Sequence, residues 1–270
     1  MTTAHLLGAA CWAFALVGLV VATRGGWYRN VIPVAFGMCL LFYSLTGENY
    51  VPLTDPGRSP LTTPERTWGA TSAVLGGCAC VGVMMALRQK EDREAGLDQW
   101  TDSRLQRHLL FLVLLASVSI AAINLGLSRY NLDPSSNFLT DYGHLPGVVV
   151  YEIVFAAWIM IPVGTLGWTA LKAPRIGPAR WLVAVGGLFG VVWGTWKIAG
   201  VIAILTTGSH VADESPVSVT LGLATLTTNI VGVVACVAYF LVANRRGSRW
   251  YQRQRDAEDA YLRRSRFGRG

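Results

Sequence analysis

Charged side chains are scarce in this chain. Asp, Glu, Lys and Arg together make up 14% of its 270 residues, where a soluble domain typically carries about 25%. The charges that exist are clustered, and long stretches between them hold none. With 52% apolar residues, this pattern excludes a disordered chain, a secreted disulfide scaffold and an ordinary soluble globule. Histidine is sparse too, at four residues. His5 and His108 lie at the ends of different apolar runs on opposite sides, so they cannot ligate one haem iron together. The five cysteines, Cys11, Cys39, Cys78, Cys80 and Cys236, all fall inside apolar runs, where a thiol behaves as a small apolar group. Cys78 and Cys80 are two residues apart, which on a helix points them to different faces. No HExxH or CxxC spacing supports a metal, and no P-loop, dinucleotide-binding glycine fingerprint or nucleophile elbow is present. The last apolar run has no lysine to carry a retinal Schiff base. No catalytic residue, metal or cofactor is therefore expected.

The sequence does contain seven apolar windows, at about 5–23, 31–48, 68–87, 108–127, 147–171, 181–206 and 217–243. A helix needs about 20 residues to cross the hydrocarbon core of a bilayer. These runs are apolar on every side rather than alternating, so helices, not barrel strands, are the expected form. The expected fold is all-α: a polytopic bundle of seven transmembrane helices over 1–243, followed by a basic tail over 244–270.

Basic residues set the orientation. Two lie between the first and second windows, five between the third and fourth, three between the fifth and sixth, and nine after the seventh. The opposite side holds only Arg58, Arg66 and Arg129, and Lys197 lies within the sixth window. This asymmetry predicts an N-terminus outside and a C-terminus in the cytoplasm of a multi-pass cell-membrane protein of the bacterial inner membrane. The first window has no Lys or Arg before it and has Arg24 and Arg29 after it, the reverse of a secretory leader. It is read as a retained first span. The net charge of +7 does not call for nucleic acid, because the bases are spread between apolar runs.

The loops are less informative. Residues 51–60 are dense in proline and read as turns. Asp133, Asp141, His144, His210, Asp213 and Glu214 share the outer side and read as solvated loop residues. The 88–108 link mixes Arg88, Lys90 and Arg93 with Glu91, Asp92 and Glu94, the pattern of helices extending beyond their spans with a solvated face. In the tail, Arg245, Arg246, Arg249, Trp250 and Arg253 form a basic and aromatic segment suited to an anionic inner leaflet or a partner protein.

Ionisable groups inside spans are the candidate functional residues. Glu152 sits about one and a half turns into the fifth span, and Lys197 about nine residues from the outer end of the sixth. Neighbouring antiparallel spans would leave their depths about 6 Å apart, which a lysine side chain can bridge. An ion pair is expected, with two readings: a ligand or ion site open to the outside, or a paired charge that fixes helix register. Gly186, Gly190 and Gly194 form a small-residue stripe for close helix packing, and Lys197 continues it. Asn124, Asn229 and Glu48 are candidates to extend the polar cluster. Two functions remain: a non-catalytic sensor or accessory subunit, with a membrane-protein partner or a second copy, and a small-solute transporter using the polar site.

Between Phe138 and Gly208 the chain reads Phe138-Leu139-Thr140-Asp141-Tyr142, then the fifth span, a basic link, and Arg180-Trp181-Leu182 opening the glycine-rich sixth span. This resembles a family of actinobacterial multi-pass membrane proteins described as transporters, and the resemblance implies a helical bundle that handles a solute.

Epitope tags test the topology. In intact cells an N-terminal tag should be labelled and a C-terminal tag should not; the reverse result overturns the orientation.

Overall fold

A computed structural model describes residues 60–94, 102–135, 138–172, 174–208 and 216–245. The first two apolar windows, Glu48, His210, Asp213, Glu214, Arg246, Arg249, Trp250 and Arg253 lie outside the described residues. Within them the regular structure is entirely helical. The main helices are α1 (Thr63–Glu94), α2 (Asp102–Ser128), α3 (Phe138–Tyr142), α4 (Pro146–Leu171), α5 (Arg180–Thr207) and α6 (Pro216–Arg245), with a 3-10 turn over Pro174–Ala179 before α5. Each of the last five apolar windows is one continuous helix. Three segments, Arg104–Ser128, Pro146–Leu171 and Gly177–Thr207, are long and apolar enough to cross a membrane.

Helix α1 begins five residues before the apolar window does. The local reason is a capping arrangement: the Glu65 carboxylate accepts from the Thr62 backbone N–H at 2.8 Å and from the Thr62 hydroxyl at 2.9 Å. At its other end α1 runs on to Glu94, and α2 already starts at Asp102, as the mixed-charge link leads one to expect. Helix α4 opens with Pro146 at its first turn, where a missing N–H costs nothing. Helix α5 closes on Gly208, whose φ of 66° lets its N–H return to the Ile204 carbonyl.

Helix α4 is the centre of the arrangement, packing against α1, α2 and α5, while α6 packs on α5. Of the apolar stretch in α4, 56% is buried, against 17% in α2. Leu110, Phe111, Leu114, Val118 and Leu125 of α2 are exposed large apolar side chains.

Close approach of backbones holds α4 to its neighbours. A Cβ built on Gly187 would stand 2.9 Å from Gly167 Cα and 2.7 Å from the Val163 carbonyl oxygen, so α4 and α5 meet there main chain to main chain. Inside α4, Pro162 has no N–H to offer the Trp158 carbonyl. That oxygen lies 2.7 Å from where a Cβ on Gly77 would sit, which brings α1 against the altered turn.

Hydroxyl groups in these helices satisfy themselves. Ser117, Thr165, Thr169, Thr195, Thr206, Thr207, Thr225 and Thr227 each donate to the carbonyl four residues earlier, at 2.7–2.9 Å. This is how a polar side chain is tolerated on a helix in apolar surroundings.

Two glycine substitutions should have opposite signs. Gly187→Leu should destabilise by about 1–3 kcal/mol through overpacking and lower the melting temperature of the detergent-solubilised protein. Gly69→Ala, where an added Cβ meets nothing within 4 Å, should raise it slightly through helix propensity.

Candidate functional site

At the end of the bundle where α1, α4 and α6 begin and α2 and α5 finish, several polar and aromatic side chains are buried together. Glu152 stands six residues into α4, and Lys197 ten residues before the end of α5. Along their axes that is about 9 Å and about 15 Å. Lysine's four-carbon stem covers the difference: Lys197 Nζ lies 3.9 Å from Glu152 Oε2. Glu152 is 2% exposed and Lys197 5%. At 3.9 Å this contact is an electrostatic attraction rather than a direct hydrogen bond.

Aromatic rings run past the pair in a continuous file. Phe138 meets Tyr151 edge to face at 6.0 Å between centroids, Tyr151 stacks on Phe155 at 5.9 Å, and Phe155 meets Trp193 edge to face at 6.0 Å. These are favoured geometries for ring quadrupoles. Trp193 precedes Lys197 by four residues, which puts both on one face of α5. Its indole Nε1 has no hydrogen-bond partner, although the residue is fully buried. An indole N–H in such a place normally finds an acceptor.

Arg66 closes the other end of the file. Its guanidinium lies 4.1 Å from the Phe138 ring centroid and donates to the Ser135 carbonyl at 2.9 Å. The Ser135 hydroxyl in turn donates to Asp141 Oδ2 at 2.5 Å. Arg66 is buried, not a loop residue beside the first turn of the third window. The Thr62-x-x-Glu65 capping pattern is the signal that places it inside a helix. Among the described residues no three His, Cys, Asp or Glu side chains gather at one point.

The glycine stripe of α5 lies between α4 and α6, and Gly190 approaches Val163 of α4 as well as α6. Gly190 faces Thr225, Gly186 faces Asn229, and Val183 faces Gly232, so each step back along α5 is matched by an equal step forward along α6. Gly194 instead faces Met160 of α4. Continuing the register seven residues beyond Gly190 sets Lys197 level with Ser218, itself buried. The same register separates Asn229 from Lys197 by eleven residues of α5, about 16 Å. Asn229 is fully buried and donates through Nδ2 to the Thr225 carbonyl at 2.8 Å, leaving Oδ1 without a partner. Asn124 is exposed, and its Nδ2 donates to the Ile120 carbonyl of its own helix at 2.7 Å. The structure thus brings Glu152 and Lys197 together, whereas Asn229 and Asn124 stand elsewhere. Glu48 and the tail residues Arg246, Arg249, Trp250 and Arg253 are outside the described residues, and Arg245 is the last residue of α6.

A double-mutant cycle measures the coupling. Lys197→Met alone strands the buried carboxylate and should destabilise by about 3–5 kcal/mol. Adding Glu152→Gln should recover a large part of that loss, because removing both charges leaves no unpaired ion. Thermal melts of the two single variants and the double variant give the numbers; additive losses would show the two side chains to be energetically independent.

The chain matches no family model, no curated protein and no solved structure.

Proposed function

We propose that this chain is a seven-span cell-membrane protein, N-terminus outside and C-terminus cytoplasmic, that acts as a non-catalytic sensor or accessory subunit. The observation that carries this reading is the Glu152–Lys197 pair: two opposite charges buried to 2% and 5% inside a glycine-packed helical bundle. A buried pair of this kind is expensive to keep in an apolar medium and is typically tied to function or to a two-state element. In the proposed orientation it lies in the outer half of the membrane, within reach of a signal from outside. The basic and aromatic tail, from Arg245 and Arg246 through Arg249, Trp250 and Arg253, faces the opposite side. There it meets the anionic inner leaflet, at about 1 kcal/mol per basic residue near the surface, or a membrane-protein partner. A homo-oligomer fits the same reading.

Transport of a small solute is the second reading. The observation that favours it is Pro162, which interrupts the hydrogen bonding of α4 ten residues beyond Glu152 and offers a place for the helix to bend.

The two readings separate in one set of measurements. A panel of small organic acids, amines, zwitterions and sugars is screened for its effect on the melting temperature of the purified protein, and any stabilising compound is tested for uptake into proteoliposomes. Under the sensor reading a compound stabilises and is not accumulated, while a stoichiometric partner that copurifies in mild detergent marks the subunit form. Accumulation of the compound overturns the non-catalytic reading in favour of transport.

A further inference from the structure

We infer that the ligand recognised at the Glu152–Lys197 site is a small zwitterion, carrying one carboxylate and one ammonium group close together. The inference rests on the reading that this pair is a ligand site, and it assigns the chemistry. Three side chains define that chemistry, each on a named helix position. Lys197 supplies a cation with three donors. Trp193, one turn earlier on the same face of α5, supplies an indole N–H that is fully buried and has no acceptor. Glu152 supplies an anion on the facing helix, 3.9 Å from the ammonium.

A carboxylate can accept from Lys197 Nζ and from Trp193 Nε1, which gives the orphaned indole the acceptor that a buried N–H requires. The ammonium of the same molecule then faces Glu152. Phe155 is three residues beyond Glu152, on the same side of α4, and packs edge to face on Trp193; with Tyr151 stacked on Phe155 it presents aromatic surface suited to a cation.

A lone carboxylate would satisfy Lys197 and Trp193 but leave Glu152 facing like charge. A lone amine would satisfy Glu152 but compete with Lys197 for it. Only a molecule bearing both groups replaces the internal ion pair with two external ones, so that no charge is left buried alone. The yielding part is Lys197, whose flexible stem lets the ammonium withdraw from the carboxylate while the helices stay packed. The near-complete burial of all three side chains leaves room only for a small molecule.

The test compares glycine, alanine and glycine betaine with their half-molecules, acetate and methylammonium, by thermal melts and calorimetric titration of the full chain in detergent. At a hundred times its dissociation constant a zwitterion should raise the melting temperature by about 5 °C, and acetate or methylammonium at equal concentration should not. Trp193→Phe keeps one aromatic ring against Phe155 but removes the N–H together with part of the buried indole. The cavity should lower the unliganded melting temperature, and the affinity for the zwitterion should fall about tenfold, the loss of one hydrogen bond to a charged acceptor. The Glu152→Gln, Lys197→Met double variant removes both charges and should fold but not respond. A response confined to acids, amines or neutral solutes, and abolished by the double variant, overturns the zwitterion assignment while leaving the ligand site intact. A zwitterion response that survives the double variant, or no response to any solute, overturns both.

Discussion

Most polar groups in these helices find their partners within the protein, and the rest of the structure follows from that constraint. In apolar surroundings an unpaired hydroxyl, amide or charge has no water to turn to. Most of the threonines answer it one at a time, returning the hydroxyl proton to their own helix. The Trp158 indole answers it across helices, donating to the Ser119 hydroxyl at 3.0 Å. Glu152 and Lys197 answer it with charge. The satisfied groups are spread along the helices, but the buried charges Arg66, Glu152 and Lys197 are gathered at one end of the bundle.

That gathering depends on glycine. Glu152 and Lys197 lie on α4 and α5, the two helices that approach main chain to main chain at Gly167 and Gly187 further along. With side chains at those positions the axes would move apart and the ammonium would have further to reach. The glycines also leave the aromatic rings as the bulky elements at the charged end. There Tyr151, Phe155 and Trp193 fill the interior that small residues vacate further along. Arg66 extends the same logic to the connection after α2: one guanidinium pins the segment around Ser135 and covers Phe138.

Much of this is legible in the amino-acid sequence, for physical reasons. A run long enough to span a bilayer has little choice but to be a helix, so the third to seventh windows fall inside α1, α2, α4, α5 and α6, with ends that differ by up to seven residues. Depth along a helix is fixed by 1.5 Å per residue, which is why the heights of Glu152 and Lys197 can be counted before any packing is known. What counting leaves open is which faces meet. Asn124 and Asn229 sit in runs that are apolar all round, so no periodic pattern marks their facing. Only the α5–α6 register, set by contacts at Gly186 and Gly190, shows that Asn229 lies far down the seam from Lys197. Arg66 is hidden for another reason. The proline-rich segment before it reads as loop, and the capping box at Thr62 and Glu65 turns it into helix.

The matched steps of α5 and α6 limit how the two can move. Gly186, Gly190 and Val183 on one helix oppose Asn229, Thr225 and Gly232 on the other, so a slide of one residue would swing these pairs out of line and drive larger side chains into the crossing. A slide of a full helical turn, about 5.4 Å, would set Gly190 against Leu221 in one direction or Gly186 against Val233 in the other. The seam between α5 and α6 therefore has a single matched register, and the height of Lys197 relative to Ser218 is fixed by glycines several turns away.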